Sequence, residues 1–149
     1  MNEKNLEKHS KIENKEIRKI YQAINSYSCK SSNPQKRLES ILEVIGLLGK
    51  ALNLPKELID YSTEICLTHQ TELIFEDIKV ASLSAIALTF LQFGLIENYP
   101  LVKISERLKV DLWSVVYALK KIFVKLDIWD HEIIEKLPQF LDTNPGLFE

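Results

Sequence analysis

One segment constrains the fold of this chain more than any other: between Asp77 and Phe93 nearly every residue is apolar or small. A helix that is apolar on all sides normally forms the buried axis of a domain, because it has no face to present to water. Several of its residues are small enough to let neighbouring helices approach closely: Ala81, Ser82, Ser84, Ala85 and Ala87. We therefore expect a central helix over residues 77–93, surrounded by other helices.

The same segment is a poor candidate for a membrane span. Residues 81–96 fall short of the roughly 20 apolar residues that a spanning helix needs. They are also interrupted by polar side chains at Ser82, Ser84, Thr89 and Gln92. The polar start of the chain is unlike a signal peptide. We therefore expect a cytoplasmic protein that has no contact with a membrane.

Amphipathic repeats on both sides of this segment predict the helices that cover it. Residues 38–52 and 58–69 each place apolar side chains on one helical stripe, and the stripe over residues 112–126 is the most regular in the chain. Gly46 and Gly49 lower the helix propensity of the first of these, which suggests close packing by a neighbour. A further stripe near the N-terminus consists of Ile17, Ile20, Tyr21, Ile24 and Tyr27.

Breaks between these patterns divide the chain into three segments, all of them α-helical. Ser, Asn and Pro around residues 28–34 compete with helix formation, so residues 1–33 are predicted to hold an N-terminal amphipathic helix and a linker. Residues 34–128 are predicted to form a helical box, with Asp111 as the N-cap of its fifth helix. Residues 129–149 are predicted to form an acidic C-terminal segment with a short helix.

Residues 38–128 carry four sequence features in a fixed order. Asn53-Leu54-Pro55-Lys56 forms a leucine-proline junction, and the small residues from Val80 to Ala87 follow it. Residues 99–108 read Tyr-Pro-Leu-Val-Lys-Ile-Ser-Glu-Arg-Leu, typical of a short fourth helix, and Lys109-Val110-Asp111 leads into the fifth. By these features the segment resembles one cyclin-type repeat of the general transcription factor B (IIB) family.

The resemblance implies a cyclin-box-like five-helix bundle, to which this chain adds the N-terminal amphipathic helix and the short C-terminal helix. Members of that family carry an N-terminal zinc ribbon and two cyclin repeats. This chain shows one repeat and no ribbon, so we expect a derived, single-box transcription regulator. Its Lys- and Ile-rich, Arg-poor composition hints at an AT-rich genome, and we expect a protein of an archaeal or virus-like kind.

In that family the fourth and fifth helices of a repeat form a helix-turn-helix that can approach DNA. The corresponding part of this chain is basic, with six basic and three acidic side chains over residues 100–128, although the formal net charge of the whole chain is −2. The alternative for these lysines is a solvated helix face. The residues that we expect to contact DNA or polymerase are Lys103, Arg107, Lys109, Ser114, Tyr117, Lys120, Lys121 and Lys125.

Two further clusters have more than one interpretation. Trp113 and Tyr117 lie four residues apart beside the core stripe, so they form either an aromatic docking spot or packing at the edge of the core. The acidic side chains between residues 60 and 77 predict a solvated surface open to a basic partner protein. They are Asp60, Glu64, Glu72, Glu76 and Asp77.

The sequence contains no constellation that points to catalysis. Cys29 and Cys66 are too few and too far apart for a zinc site, and we expect free thiols there. His69 is predicted to be a half-buried packing residue. No phosphate-binding loop, nucleophile elbow or metal motif occurs. We therefore expect a non-enzymatic protein with no cofactor and no metal.

Three functional hypotheses follow. The first is a transcription regulator that binds RNA polymerase, a promoter complex or DNA through its single box. The second is a cyclin-like partner of a protein kinase, although the first helix shows no recognisable docking motif for one. The third is a dimerising scaffold, in which the N-terminal stripe is buried against a second copy of the chain in a homodimer.

Overall fold

The computed structural model describes residues 15–27, 31–93 and 101–125, and within these ranges the chain forms seven helices and no strand. Helix α1 covers residues 15–25. The others are α2 (Pro34–Ala51), α3 (Lys56–Thr68), α4 (Gln70–Leu73), α5 (Ile78–Phe93), α6 (Leu101–Arg107) and α7 (Leu112–Lys125). The all-α prediction is confirmed.

Helix α5 is the buried axis that its sequence predicts. From Ile78 to Leu91 every side chain except that of Lys79 is buried, and α5 packs against α2, α3 and α7. It begins one residue later than predicted because Asp77 is its N-cap: the Oδ1 atom accepts from the N–H groups of Lys79 at 2.9 Å and of Val80 at 3.4 Å. None of the helices in the described ranges is long and apolar enough to cross a membrane.

Two of the three hydroxyl groups inside α5 form hydrogen bonds within the bundle. Ser82 donates to the carbonyl of Ile78 at 2.7 Å and lies 3.2 Å from that of Ile41 on α2, while Thr89 shares a 2.7 Å hydrogen bond with Ser62 on α3. Burying a hydroxyl without such a partner costs free energy. Ser82 and Thr89 therefore allow close packing of α5 with their hydroxyls satisfied, whereas the buried Ser84 hydroxyl has no hydrogen-bond partner among the described residues.

The segment after α3 differs from the sequence interpretation. The stripe predicted one helix through His69, but α3 ends at Thr68, and the four-residue helix α4 follows a bend at His69. The bend redirects the chain so that Leu73 and Ile74 are buried in the core. Periodicity alone did not reveal α4, because a single turn of helix is too short to show a stripe.

The N-terminal stripe is buried on the box itself. Tyr21 and Ile24 belong to the hydrophobic core, and Ile17, Ile20 and Tyr27 pack partly buried against it. The Tyr27 hydroxyl also donates to the Glu43 carboxylate on α2. The box therefore covers much of the stripe, which leaves less apolar surface for the homodimer hypothesis than the sequence predicted.

Several predictions lie outside the described residues. They concern residues 1–14 of the N-terminal segment, Cys29 in the linker, and the acidic C-terminal segment 129–149 with its short helix. The linker and the helix that follows are described from residue 31 onward. There Asn33 is the N-cap of α2, and its Oδ1 atom accepts from the N–H of Gln35 at 2.9 Å.

The two glycines of α2 have different surroundings, which gives a test of the packing between α2 and α3. A Cβ atom at Gly49 would lie 2.6 Å from Cγ1 of Ile59 on α3, whereas one at Gly46 would meet nothing within 4 Å. We expect Gly46→Ala to raise the free energy of unfolding by up to about 1 kcal/mol through helix propensity. Gly49→Ala should instead lower it by roughly 1–3 kcal/mol through overpacking.

Chemical denaturation of the two variants beside the parent protein measures both changes. The pair is matched because each variant adds one methyl group to the same helix. If Gly49→Ala stabilises the protein as much as Gly46→Ala does, the close approach of α3 to α2 at Gly49 is wrong.

Candidate functional site

Helices α6 and α7 form a helix–turn–helix unit. Hydrogen bonds define the end of α6 and the start of α7, on either side of the turn. At the end of α6 the N–H of Lys109 donates to the carbonyl of Glu106 at 3.1 Å, and the N–H of Val110 donates to that of Ser105 at 2.9 Å. This is a Schellman motif, with Lys109 in the left-handed conformation at φ 55°. The Asp111 carboxylate then accepts from the N–H of Trp113 at 3.1 Å, which confirms the predicted N-cap of α7.

Side chains from distant helices hold the end of α6 in place. The Asn25 side-chain amide on α1 donates to the carbonyl of Arg107 at 2.9 Å, and the Lys79 ammonium on α5 donates to that of Leu108 at 2.7 Å. The Arg107 guanidinium lies 4.0 Å from the centre of the Tyr21 ring. Burial raises the pKa of Tyr21, and the nearby Arg107 charge opposes that rise. Arg107 is thus tied to α1.

Helix α7 buries one half of its circumference and exposes the other. Its core-facing side chains are Leu112, Val115, Val116, Ala118, Leu119 and Ile122. On the outer half, Trp113 is 55% exposed and Tyr117 is 66% exposed. The Lys120 ammonium lies 5.8 Å from the centre of the Tyr117 ring. We call Trp113, Tyr117 and Lys120 the aromatic side of α7; it is a surface feature and not packing at the edge of the core.

The other exposed side of α7 is occupied by ion pairs. The Lys121 ammonium lies 2.7 Å from a Glu76 carboxylate oxygen, and that of Lys125 lies 2.9 Å from one of Glu72. The lysine side chains are 56% and 47% exposed, but those of Glu76 and Glu72 only 23% and 12%. We call Lys121 and Lys125 the lysine pair, and Glu72 and Glu76 the acidic pair.

The prediction of a solvated acidic surface is therefore wrong for two of its five residues, Glu72 and Glu76. The acidic pair binds the lysine pair, and Asp77 caps α5. Asp77 is nevertheless exposed as predicted, and so are Asp60 and Glu64 on α3. The error arose because the sequence shows the spacing of like charges along one segment but not the opposite charges that another segment brings to them.

Arg37 of α2 fixes the turn that follows α4 and carries Glu76. Its guanidinium donates to the carbonyl of Ile74 at 2.7 Å through Nε and to that of Glu76 at 2.6 Å through Nη2. No sequence pattern predicted a structural role for Arg37. No local signal could have shown its role, because its acceptors lie 37 and 39 residues further along the chain.

His69 lies buried beside the acidic pair. Burial lowers its pKa below the ordinary 6.5; the Lys125 charge lowers it further and the Glu72 charge opposes this. The Nδ1 atom of His69 and one carboxylate oxygen of Glu72 are buried with no hydrogen-bond partner. His69 is thus more deeply buried than predicted. Burial likewise raises the pKa of the free Cys66 thiol to about 11, so it stays protonated at neutral pH.

The eight predicted contact residues are not equally available. Lys103, Lys109, Tyr117 and Lys120 are exposed, and Ser114 is half-buried. Among the described residues no carboxylate pairs with Lys103, Lys109 or Lys120, whereas the lysine pair is engaged and Arg107 stacks on Tyr21. Within those same ranges no three His, Cys, Asp or Glu side chains converge as they would around a metal ion.

The left-handed conformation of Lys109 predicts a stabilising substitution. For a residue with a Cβ atom this conformation is unfavourable by roughly 1–2 kcal/mol, whereas glycine adopts it without that cost. Lys109→Gly should therefore raise the free energy of unfolding by about 1 kcal/mol, measured by chemical denaturation. Lys109→Ala removes the same charge but keeps the strain, so an equal rise in both variants would contradict this explanation.

The buried His69 predicts that stability falls in mild acid. The unfolded chain takes up a proton as the pH drops through 6.5, but folded His69 does so only at lower pH because its pKa is lowered. This contribution is fully present above pH 6.5 and is lost as the pH falls below it. Denaturation between about pH 7 and pH 5 should show a decline that is smaller in His69→Gln. An identical decline in both proteins would show that other groups cause it.

Known proteins offer no guide to this surface. Comparison with protein-family models, with curated proteins and with solved structures gave no match. The function of the helix–turn–helix unit is therefore argued from its own geometry, together with the sequence features described above.

Proposed function

We propose that this chain is a non-enzymatic transcription regulator that docks on RNA polymerase or a promoter complex through the aromatic side of α7. The observation that carries the proposal is the exposure of Trp113 and Tyr117 next to Lys120. The partner class comes from the sequence resemblance to the general transcription factor B family. Under this proposal α2, α3, α5, α6 and α7 are the five helices of a cyclin-type box, with α4 inserted and α1 added.

Exposed aromatic residues support docking on a protein. Trp113 and Tyr117 are four residues apart on α7 and so stand one turn apart on the same side of the helix. Tryptophan and tyrosine are enriched among the few residues that dominate the free energy of protein association. They bury a large apolar area and still supply a polar group for a hydrogen bond.

The charge around the aromatic side indicates the chemistry of the partner surface. Lys120 belongs to the aromatic side, and Lys103 and Lys109 are exposed on α6 and on the turn that precedes α7. With no carboxylate bound to these three among the described residues, their charge is available to a partner. We therefore propose a partner surface with an apolar pocket bordered by acidic side chains, since complementary charge favours fast and specific association.

The arrangement supports a protein partner over direct binding to duplex DNA. The ammonium groups of Lys121 and Lys125 already contact carboxylates, and the Arg107 guanidinium contacts Tyr21. Affinity for a DNA backbone grows with the number of phosphates that basic groups neutralise. Three of the basic residues expected to do so are engaged within the chain, so a polymerase surface is the first candidate and free DNA the second.

Binding to purified RNA polymerase from the native host tests the proposal. We expect Trp113→Ala combined with Tyr117→Ala to weaken binding by about thirtyfold or more, because loss of one hot-spot side chain costs roughly 2 kcal/mol. Phe75→Ala is the matched control: Phe75 is 71% exposed but lies in the turn between α4 and α5. This control variant should bind polymerase like the parent protein.

Three results would contradict the proposal. The first is equal polymerase binding by the parent and the double variant, and the second is equal weakening by Phe75→Ala. The third comes from affinity purification in the host: recovery of a protein kinase in place of polymerase subunits would favour the cyclin-like kinase partner instead. Circular dichroism and thermal melting of each variant show whether the fold is kept.

A further inference from the structure

The acidic pair and the lysine pair face each other in matching register. Glu72 and Glu76 are four residues apart, Lys121 and Lys125 are four residues apart, and Glu72 meets the later lysine while Glu76 meets the earlier one. The two rows therefore run in opposite directions. Because side chains four apart on a helix lie on the same side, one short acidic segment reaches both lysines at once.

The two partners of each ion pair differ in freedom to move. The carboxylates of the acidic pair are largely buried. Glu72 belongs to helix α4, and the Arg37 guanidinium holds the turn that carries Glu76 through the carbonyls of Ile74 and Glu76. The lysine side chains are about half exposed and have flexible stems. The acidic pair is thus a fixed feature of the fold, whereas each ammonium group can turn outward toward another anion.

We infer that the acidic pair occupies the lysine pair as an internal competitor and so keeps this side of α7 from binding nucleic-acid phosphates. The lysine pair could contact the phosphates of a nucleic acid only after its ammonium groups leave Glu72 and Glu76. An exposed ion pair contributes at most about 1 kcal/mol, so the competition at Lys121 is weak enough to be reversed. At Lys125 it is stronger, because Glu72 would be left buried without its partner.

The composition of this side of α7 favours a nucleic acid as the excluded partner. Lys121 and Lys125 stand on it with half-buried Ser114; of the exposed aromatic residues of α7, Tyr117 lies one turn from Lys121 and Trp113 lies two turns away. A protein partner normally needs an apolar anchor, but phosphates bind lysines through charge and the release of counterions. The inference rests on the two ion pairs and not on the proposed docking surface, although Tyr117 of that surface lies one turn from Lys121.

Binding to a duplex DNA of about 20 base pairs and arbitrary sequence tests the inference, with affinity measured as salt is varied. Glu72→Gln combined with Glu76→Gln should bind more tightly than the parent at low salt. Two additional phosphate contacts should steepen the slope of log affinity against log salt by about 1.8. The advantage over the parent should therefore shrink about tenfold as salt rises from about 50 mM to about 200 mM.

Two control variants separate this effect from a change in net charge. Glu57→Gln combined with Glu64→Gln removes two exposed carboxylates of α3 and leaves the ion pairs intact. It should give the slope of the parent. Adding Lys121→Gln and Lys125→Gln to the first variant should return its slope to that of the parent or below.

If the double variant fails to fold, Glu76→Gln alone replaces it in the test. The slope of its log affinity against log salt should then be steeper than that of the parent by about 0.9. The inference is overturned if neutralising the acidic pair leaves the slope unchanged, or if the α3 control gives the same gain. It is also overturned if the variant gains affinity for polyglutamate but not for DNA. These results are distinct from the polymerase test, because none of them involves Trp113 or Tyr117.

Discussion

Burial of α5 on all sides is the constraint on which the rest of the structure depends. An apolar helix without a solvent-facing side requires its neighbours to turn their own apolar stripes toward it, so α2, α3 and α7 have their orientation fixed by that contact. The small residues of α5 allow this approach, and the buried hydroxyls of Ser82 and Thr89 are satisfied by α2, by α3 or by α5 itself. On α7 the half turned away from α5 is exposed, and it carries the residues of the proposed docking surface.

Electrostatics then divides the exposed half of α7 into two sides with different chemistry. The acidic pair binds Lys121 and Lys125, whereas Trp113, Tyr117 and Lys120 stay exposed. The number of basic residues in this part of the sequence therefore overstates the positive charge that a partner would meet. Arg37 extends the connection to α2, since it holds the turn that presents Glu76. The positive charge that α7 presents to solvent thus depends on side chains of α4 and α2 as well as on its own lysines.

Helix positions were predictable where they depend on local periodicity. The stripes over residues 38–52 and 112–126, the all-apolar segment of α5 and the N-cap at Asp111 each reflect interactions within a few residues. Helix α4 and the bend at His69 were not predictable, because a four-residue helix has no periodic pattern. Of the two glycines in α2, only Gly49 meets a close neighbour, Ile59 of the next helix.

The sequence by itself determined the all-α class, the buried central helix and the aromatic and basic residues of the fifth amphipathic stripe. Each follows from local propensity and from the burial of apolar side chains. Only the tertiary structure decided which of those residues are available, because the deciding interactions join distant positions. Lys121 and Glu76 are separated by 45 residues, and Asn25 and Arg107 by 82. A pattern within one helix cannot show a charge that another helix brings to it.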